Sequence, residues 1–315
     1  MGLLVAALFA IVYAIVVMVG TAMGVGNFYF YLILSLGMMF LQYMAGPKMV
    51  EWSMRVRYVE KEEYPELCAM VEEQARLAAI PVPRVCVSAV TIPNAFAFGR
   101  GRRDGRVCVT EGILKLLNKE ELRAVIGHEL THLKNRDVAT ITLLSVIPII
   151  MYRIAWHLIW YGGRGSRRNE RSQTMLIGLA ALIFYFITNL LVLYASRIRE
   201  YFADKGSVEL GNRPSVLASA LYKLVYGSAK AGKAGIKEAE GFKAFFLNDP
   251  SVAMDEIQDL AQLDINKSGT IDADELALLR SKRINITSAD RMMEAFGTHP
   301  NMLKRIRHLA ELETI

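Results

Sequence analysis

The most informative chemical pattern in the chain is a glutamate between two histidines, at His128, Glu129 and His132. On a helix, residues four apart lie on the same face, so both imidazoles can bind one metal ion. The carboxylate lies beside that ion, where it can hold and activate a water molecule. The pattern therefore predicts a zinc site of the hydrolytic type. The alternative is an ordinary buried helix whose two histidines are hydrogen-bonded.

A tetrahedral zinc ion in a hydrolytic site needs a third protein ligand and leaves one position to water. The remaining histidines are His157 in an apolar segment and His299 and His308 near the C-terminus. Glu200 is a better candidate because it opens a predicted helix and Asp204 follows on the same face, where it can orient a ligand imidazole. A solvent-exposed helix face explains this spacing equally well, so the pattern alone leaves the third ligand open.

A second ion site is predicted at residues 264–275, which match the calcium-binding loop of an EF-hand. Gly269 stands at loop position 6, where the chain must bend sharply. Helical patterns at 254–263 and 275–282 flank the loop. The predicted ligands are the side chains of Asp264, Asn266, Ser268, Asp272 and Glu275 and the backbone carbonyl of Thr270. The alternative is an acidic turn without an ion. The sequence holds no second such loop, so this would be a lone hand or would pair between two chains.

The segments that position these residues predict a mainly helical α+β body with a small β-sheet. Asn118, followed by Glu121, predicts a capping box at the start of the helix that carries the paired histidines. Further helices are predicted at 62–79, 111–117, 214–226 and 301–312. Short strands are predicted at 84–90, 94–99 and 106–110.

Four apolar segments predict that the body is attached to membrane lipid. The chain is 53% hydrophobic, which is high for a soluble protein. The apolar segments are 3–20, 28–45, 138–160 and 172–196. The first two are uncharged and long enough to cross ~30 Å of hydrocarbon, so we expect a helical hairpin. An arginine-rich loop at 164–171 conflicts with full crossing by the last two, for which we expect a membrane-embedded hairpin.

The distribution of charge predicts orientation and excludes one class of partner. The residues Lys48, Arg55, Arg57 and Lys61 follow the second apolar segment, which puts the body in the cytoplasm of a multi-pass cell-membrane protein. The net charge is +6, but no nucleic-acid-binding motif occurs, so no nucleic acid is expected. The three cysteines are isolated, so we expect free thiols in a reducing compartment. The oligomeric state is open.

Four motifs together resemble the HtpX family of membrane zinc metalloproteases, which belongs to peptidase family M48. They are N-A-F-A-F-G at 94–99, H-E-L-T-H-L-K-N-R-D at 128–137, S-R-I-R-E-Y-F-A-D at 196–204, and T-H-P with R-I at 298–306. The resemblance implies a zincin-like body with His128, His132 and Glu200 as zinc ligands and Glu129 as the catalytic carboxylate. It also implies an edge strand beside the cleft, so Asn94, Ala95 and Phe96 are predicted to bind substrate.

Other features of the site remain open after the resemblance. An oxyanion donor is expected, and His299, Tyr201 and Arg197 are the candidates. The resemblance implies cleavage of damaged or misassembled membrane proteins, so the expected partners are protein or peptide substrates. The EF-hand-like segment departs from the family. Because it has few apolar anchors, we expect calcium to order it and to modulate proteolysis.

These expectations divide the chain into six parts. They are a transmembrane hairpin (1–47), an N-terminal zincin part (48–137), a membrane-embedded hairpin (138–196), a C-terminal zincin part with the third ligand (197–251), the EF-hand-like insertion (252–287) and a C-terminal helix (288–315). A competing hypothesis is a calcium-responsive membrane binding protein or holdase whose metal site is inert. A third is a processing enzyme for lipidated substrates, but its membrane chamber needs more spans than the sequence offers.

Overall fold

A four-stranded mixed sheet forms one layer of the body in the computed structural model, which describes residues 28–160, 168–230, 260, 263–281 and 294–313. The strands are β1 (Val56–Tyr58), β2 (Arg84–Ser88), β3 (Ala95–Phe98) and β4 (Arg106–Thr110), in the spatial order β1-β2-β4-β3. Strand β4 is parallel to β2 and antiparallel to β3. Strand β3 therefore has one edge, its open edge, that no other strand of the described residues covers. The three predicted strands are confirmed, whereas β1 is too short to show a pattern.

Helices make up most of the remaining structure, which confirms the predicted fold class. The α-helices of the described residues are α1 (Phe28–Ser53), α2 (Pro65–Leu77), α3 (Glu111–Leu116), α4 (Lys119–Asn135), α5 (Asp137–Leu144), α6 (Val146–Trp160), α7 (Arg168–Glu209), α8 (Pro214–Lys230), α9 (Ala273–Ser281) and α10 (Met302–Leu312).

Helix α4 carries the paired histidines through the centre of the core. Its first turn has the predicted capping box: the Asn118 side chain accepts a hydrogen bond from the Glu121 amide, and the Glu121 carboxylate accepts one from the Asn118 amide. The helix ends at Arg136, whose φ of 57° is left-handed. It packs against α2, α7, α8 and β3, so its middle is buried on every side. This burial fixes the direction in which both histidines point.

Helix α7 is one continuous helix from the apolar segment to the acidic residues at its end. The prediction that Glu200 begins a new helix is therefore wrong. No proline or glycine occurs between 179 and 205, so nothing in the sequence interrupts the helical hydrogen bonds. The long apolar part and the residues of the candidate site thus share one rigid element.

Within the described residues, three helical stretches are long and apolar enough to cross a membrane: Tyr29–Ser53, Asp137–Trp160 and Thr174–Glu209. The first continues beyond its predicted end, through Pro47. The predicted segment 138–160 is divided into α5 and α6 at Ser145, because Pro148 in the first turn of α6 has no amide to continue the preceding helix. Large apolar side chains on these helices are exposed, as a lipid environment requires. The predicted span at 3–20 and the linker at 230–240 lie essentially outside the described residues.

The EF-hand-like segment packs into the main hydrophobic core. The side chains of Leu260, Leu263, Ile271, Leu276 and Leu279 are all buried there. Helix α9 lies against α10 and α8. The expectation that this segment has few apolar anchors is therefore wrong, because the apolar residues that a helical pattern spaces apart converge on one face of the body. The predicted entering helix lies mostly outside the described residues.

Candidate metal centre

Three side chains from two helices converge on one point. The Nε2 atoms of His128 and His132 lie 3.2 Å apart, and each lies 3.6 Å from a carboxylate oxygen of Glu200. A tetrahedral zinc ion with bonds of ~2.0–2.1 Å holds its ligand atoms about 3.4 Å apart. The three donors therefore fit such an ion. In the part of the chain that the structure describes, this is the one group of three or more histidine, cysteine or carboxylate side chains with metal-binding geometry.

The far nitrogen of each imidazole is held by a carboxylate. The Nδ1 atom of His128 lies 2.9 Å from Asp204, as the sequence predicted, and that of His132 lies 2.5 Å from Asp137. Such partners fix the tautomer with a proton on Nδ1, so each Nε2 presents its lone pair to the metal position. Asp137 was missed by the sequence analysis, although it lies within the quoted motif, because helix α4 ends between it and His132.

Arg305 is a second residue that the sequence analysis did not assign. It is fully buried on α10, and its guanidinium donates hydrogen bonds of 2.6 and 3.0 Å to the Asp204 carboxylate. Another of its nitrogens lies 3.4 Å from Glu200. Burial opposes the charge of Arg305, but the attraction of Asp204 outweighs it and raises its pKa. Arg305 therefore offsets part of the negative charge that surrounds the metal position.

The basicity of His128 follows from the same network. Burial lowers its pKa, but hydrogen bonds with Asp204 and Glu200 outweigh this effect and raise the pKa to about 9. A more basic imidazole is a stronger metal ligand.

Glu129 is buried beside the two histidines and faces strand β3. Its Oε2 atom accepts a hydrogen bond of 2.7 Å from the backbone amide of Ala97. Burial raises the pKa of Glu129 above its usual range, against the opposing effect of His128 and His132. A carboxylate with a raised pKa is a better proton acceptor near neutral pH.

Two buried polar atoms next to the donors also indicate an ion. Oε2 of Glu200 and Nδ1 of His299 have no hydrogen-bond partner among the described residues, although they lie 3.5 Å apart. Buried polar atoms in native proteins normally have a partner, and a metal ion satisfies a carboxylate oxygen directly.

The candidates for an oxyanion donor are placed differently from one another. His299 lines the cleft together with Glu129 and His132. Arg197 instead donates hydrogen bonds to the carbonyls of Glu294, Ala295 and Gly297, which holds the chain that leads to His299. The ring of Tyr201 contacts His308 and is not part of the cleft lining.

The candidate substrate-binding strand lies at the cleft, but not all of the predicted residues face it. Ala95 and Phe96 line the cleft, together with the rest of β3. Asn94 is fully buried, and its backbone amide donates to the Thr110 hydroxyl. It therefore lies behind the open edge of β3. The cleft has a volume of about 550 Å³ and extends from the metal position between α1 and α5.

The EF-hand-like loop has the bends that its sequence predicts. Gly269 has a φ of 78°, and Asp264 accepts hydrogen bonds from the amides of Ser268 and Gly269. Glu275 accepts hydrogen bonds from the amides of Ile265 and Asp272 at 2.8 and 3.1 Å. The loop carboxylates therefore bind backbone amides and do not form a convergent metal-binding group among the described residues.

Comparisons with known proteins agree on the family. The model of "Peptidase family M48" matches residues 61–313. A "Protease HtpX homolog" from Methanothermobacter thermautotrophicus is 53% identical over 218 residues, which cover 69% of this chain and 81% of that protein. One from Moorella thermoacetica is 36% identical, covering 88% of this chain and 81% of the relative. The crystal structure of S. mikatae Ste24p is 12% identical with a TM-score of 0.55; the match covers 97% of this chain but only 64% of that one.

The helices that can span a membrane and the paired-histidine helix define this protein as a membrane metalloprotease. The chain belongs to peptidase family M48 and is of the HtpX type. The Ste24p structure supports the fold alone, since its sequence is distant.

Proposed function

We propose that this protein is a zinc-dependent endopeptidase that hydrolyses misfolded or damaged membrane proteins, with its catalytic body in the cytoplasm. The observation that carries the proposal is the convergence of His128, His132 and Glu200 beside the buried carboxylate of Glu129. The basic residues after the second apolar segment support the orientation.

The chemistry follows from the residues around the metal position. Zinc, when bound by the three ligands, supplies a Lewis acid that activates a water and polarises the scissile carbonyl. Glu129 accepts the proton of the attacking water and transfers it to the leaving amine. Asp137 and Asp204 hold the two imidazoles in the ligand tautomer. His299 is the proposed donor to the oxyanion, because it lines the cleft beside Glu200.

The open edge of β3 is the proposed binding site for the substrate backbone. An extended peptide that adds to this edge gains main-chain hydrogen bonds, which do not depend on its sequence. This mode suits a protease that removes damaged proteins. Ala95 and Phe96 line the cleft beside this edge, and Asn94 is buried behind it. The Ala97 amide donates to Glu129.

The test is Glu129→Gln, which keeps the shape of the side chain but cannot accept the proton. We expect the variant to retain bound zinc and to lose nearly all hydrolysis of casein. Zinc content is measured by elemental analysis, and a zinc chelator should abolish the activity of the wild type. Activity of the variant within a few-fold of wild type would contradict the role of Glu129. Retained zinc with no casein cleavage by the wild type would favour the inert holdase instead.

We also propose that residues 264–275 bind calcium and that calcium modulates proteolysis. The oxygen ligands are Asp264, Asn266, Ser268, Thr270, Asp272 and Glu275. Two observations support a link to the metal centre: Tyr222 of α8 donates to Asp264, and α9 packs on α10, which carries Arg305. Each carboxylate has lone pairs left over from the amide hydrogen bonds, so calcium binding needs Asp264, Asp272 and Glu275 to come closer together, not to give up those bonds.

A further inference from the structure

The cleft beside the metal position has two uncharged walls. One wall is a stripe along α1, where residues at successive helical turns line the cleft: Met39, Gln42, Tyr43, Gly46, Met49 and Val50. The other is a stripe along α5 and the start of α6: Val138, Ile141, Thr142, Ser145 and Ile149. Beyond Asp137, which holds His132, neither stripe adds a charged side chain to the described lining. The other charged residues of the lining are Glu129, Arg199 and Glu200. The Arg199 guanidinium donates to the Asp137 carbonyl, so the charge is gathered at the metal-binding end.

The same cleft contains the proposed reaction centre. Glu129, His132, Glu200 and His299 line its charged end, and strand β3 forms one side. A peptide bond placed at the metal position on the edge of β3 has its neighbouring side chains next to the two uncharged walls, which carry mainly apolar side chains. The volume of about 550 Å³ lies in the range of pockets that bind whole small molecules, so more than one side chain can be accommodated.

Both walls belong to helices that can span a membrane. The α1 stripe lies within Tyr29–Ser53, and the opposite stripe lies within Asp137–Trp160. An apolar segment that moves between these helices therefore meets charged side chains, Arg199 among them, only beside the metal position. A polar substrate segment that arrives from the aqueous side buries no apolar surface against these walls.

We propose that this cleft is a subsite for apolar side chains next to the scissile bond, and that its occupant is an apolar membrane-inserted segment of a substrate protein. The inference rests on the proposed endopeptidase function and adds a preference that pairing to the β3 edge alone does not give. A hydrophobic pocket prefers a substrate over one that lacks a single methylene group by roughly ten- to two-hundred-fold.

Gly46 offers a direct way to close the subsite. A Cβ atom added at Gly46 meets no other atom within 4 Å, so the space beside it is open cleft. Gly37 is a matched control: it lies on the same helix and is equally open, but it does not line the cleft. Nine residues separate the two glycines, which is two and a half helical turns and puts them on opposite faces.

The experiment measures peptide binding to the full chain in lipid nanodiscs, in the Glu129→Gln background so that peptides are held but not cut. The probes are two short fluorescein-labelled peptides that differ only in a central Leu-Leu or Ser-Ser pair. Empty nanodiscs are subtracted as the control for partition into lipid. We expect the Leu-Leu peptide to bind at least about tenfold tighter by fluorescence anisotropy. Adding Gly46→Phe should remove this difference, whereas adding Gly37→Phe should preserve it, and zinc content should be unchanged in both.

Equal binding of the two peptides, or a preference that survives Gly46→Phe, would overturn the subsite. Hydrolysis by the chain with Glu129 intact separates this result from the proposed function. Cleavage of both peptides at equal kcat/KM removes the subsite and leaves the endopeptidase. A binding preference that Gly46→Phe abolishes, without cleavage of either peptide, supports the subsite and contradicts the endopeptidase.

Discussion

At the scale of single residues, the metal centre depends on groups that never touch the metal position. Two imidazoles take their orientation from Asp204 and Asp137, and Asp204 is held in turn by Arg305. Each member of this network is buried or nearly so, and its charges act at short range in a medium of low polarity. Removal of one member therefore leaves the buried charge or hydrogen-bonding group of its neighbour without a partner.

Arg305→Met tests this dependence. We expect zinc affinity to fall by about ten- to a hundred-fold, because Asp204 loses the guanidinium that holds it against His128. Competition with a chromophoric chelator measures the affinity, and circular dichroism checks that the variant folds. Arg307→Met on the same helix is the control, because its side chain is largely exposed and pairs only weakly with Glu311. Wild-type zinc affinity in a folded Arg305→Met protein would remove Arg305 from the network.

The buried thiols give a prediction about pH. Burial raises the pKa of Cys86 from 9 to about 12, so the thiol stays protonated in the folded protein when it ionises in the unfolded chain. Its contribution to the free energy of unfolding is therefore fully present below pH 9 and is lost as the pH rises toward 12. At pH 9, iodoacetamide should alkylate Cys86 in denaturant but not in the folded protein, as measured by mass spectrometry. Cys86 lies on β2, which pairs with β4. Rapid labelling of the folded protein would show that these two strands separate.

At the scale of elements, the sequence predicted the helices and strands whose formation depends on residues close together in the chain. The capping box at Asn118 and the strand Arg106–Thr110 depend on near neighbours, and both are confirmed. The continuity of α7 was missed, because the change from apolar to charged residues at Ser196 resembles the end of a helix. The pairing of Asp137 with His132 and of Arg305 with Asp204 depends on contacts across a helix end or between distant helices. The spacing of apolar residues within one segment cannot predict such contacts.

The start of α4 can be tested separately from its chemistry. Asn118→Ala removes the side-chain acceptor of the capping box, so we expect the free energy of unfolding to fall by about 1 kcal/mol. A lower thermal midpoint with unchanged zinc content would be the result. Lys119→Ala is the matched control, because that residue follows the cap and its pair with Glu66 is exposed. Equal midpoints for both variants would mean that packing alone fixes the first turn of α4.

At the scale of the whole molecule, helix α10 joins the two proposed ion sites. It carries Arg305 on one side and packs against α9 on another. A shift of α9 on calcium binding would therefore reach Asp204 through one helix. The EF-hand-like segment was expected to be loosely attached to the body, but its buried leucines anchor it to the main hydrophobic core.

Calcium titration tests the link between the sites. A lone hand with two neutral side-chain ligands should bind calcium with a dissociation constant of about 10⁻⁵ to 10⁻³ M. At fixed zinc, we expect calcium to change the rate of casein cleavage in the wild type but not in Glu275→Gln. A shift in thermal midpoint without a rate change would indicate a purely structural ion. Absence of binding by calorimetry at millimolar calcium would disprove the calcium site.

With the proposed attachment to a membrane, the continuous α7 also sets the height of the metal position above the lipid. Glu200 lies only four residues beyond Ser196, the predicted end of the apolar stretch, so it stands ~6 Å further along the helix axis. Because no hinge separates the two, the metal position cannot move away from the membrane surface without the whole helix moving. On the proposed endopeptidase function, a substrate must therefore bring its peptide bond to that level of the bilayer before the side chains beside the bond can enter the cleft.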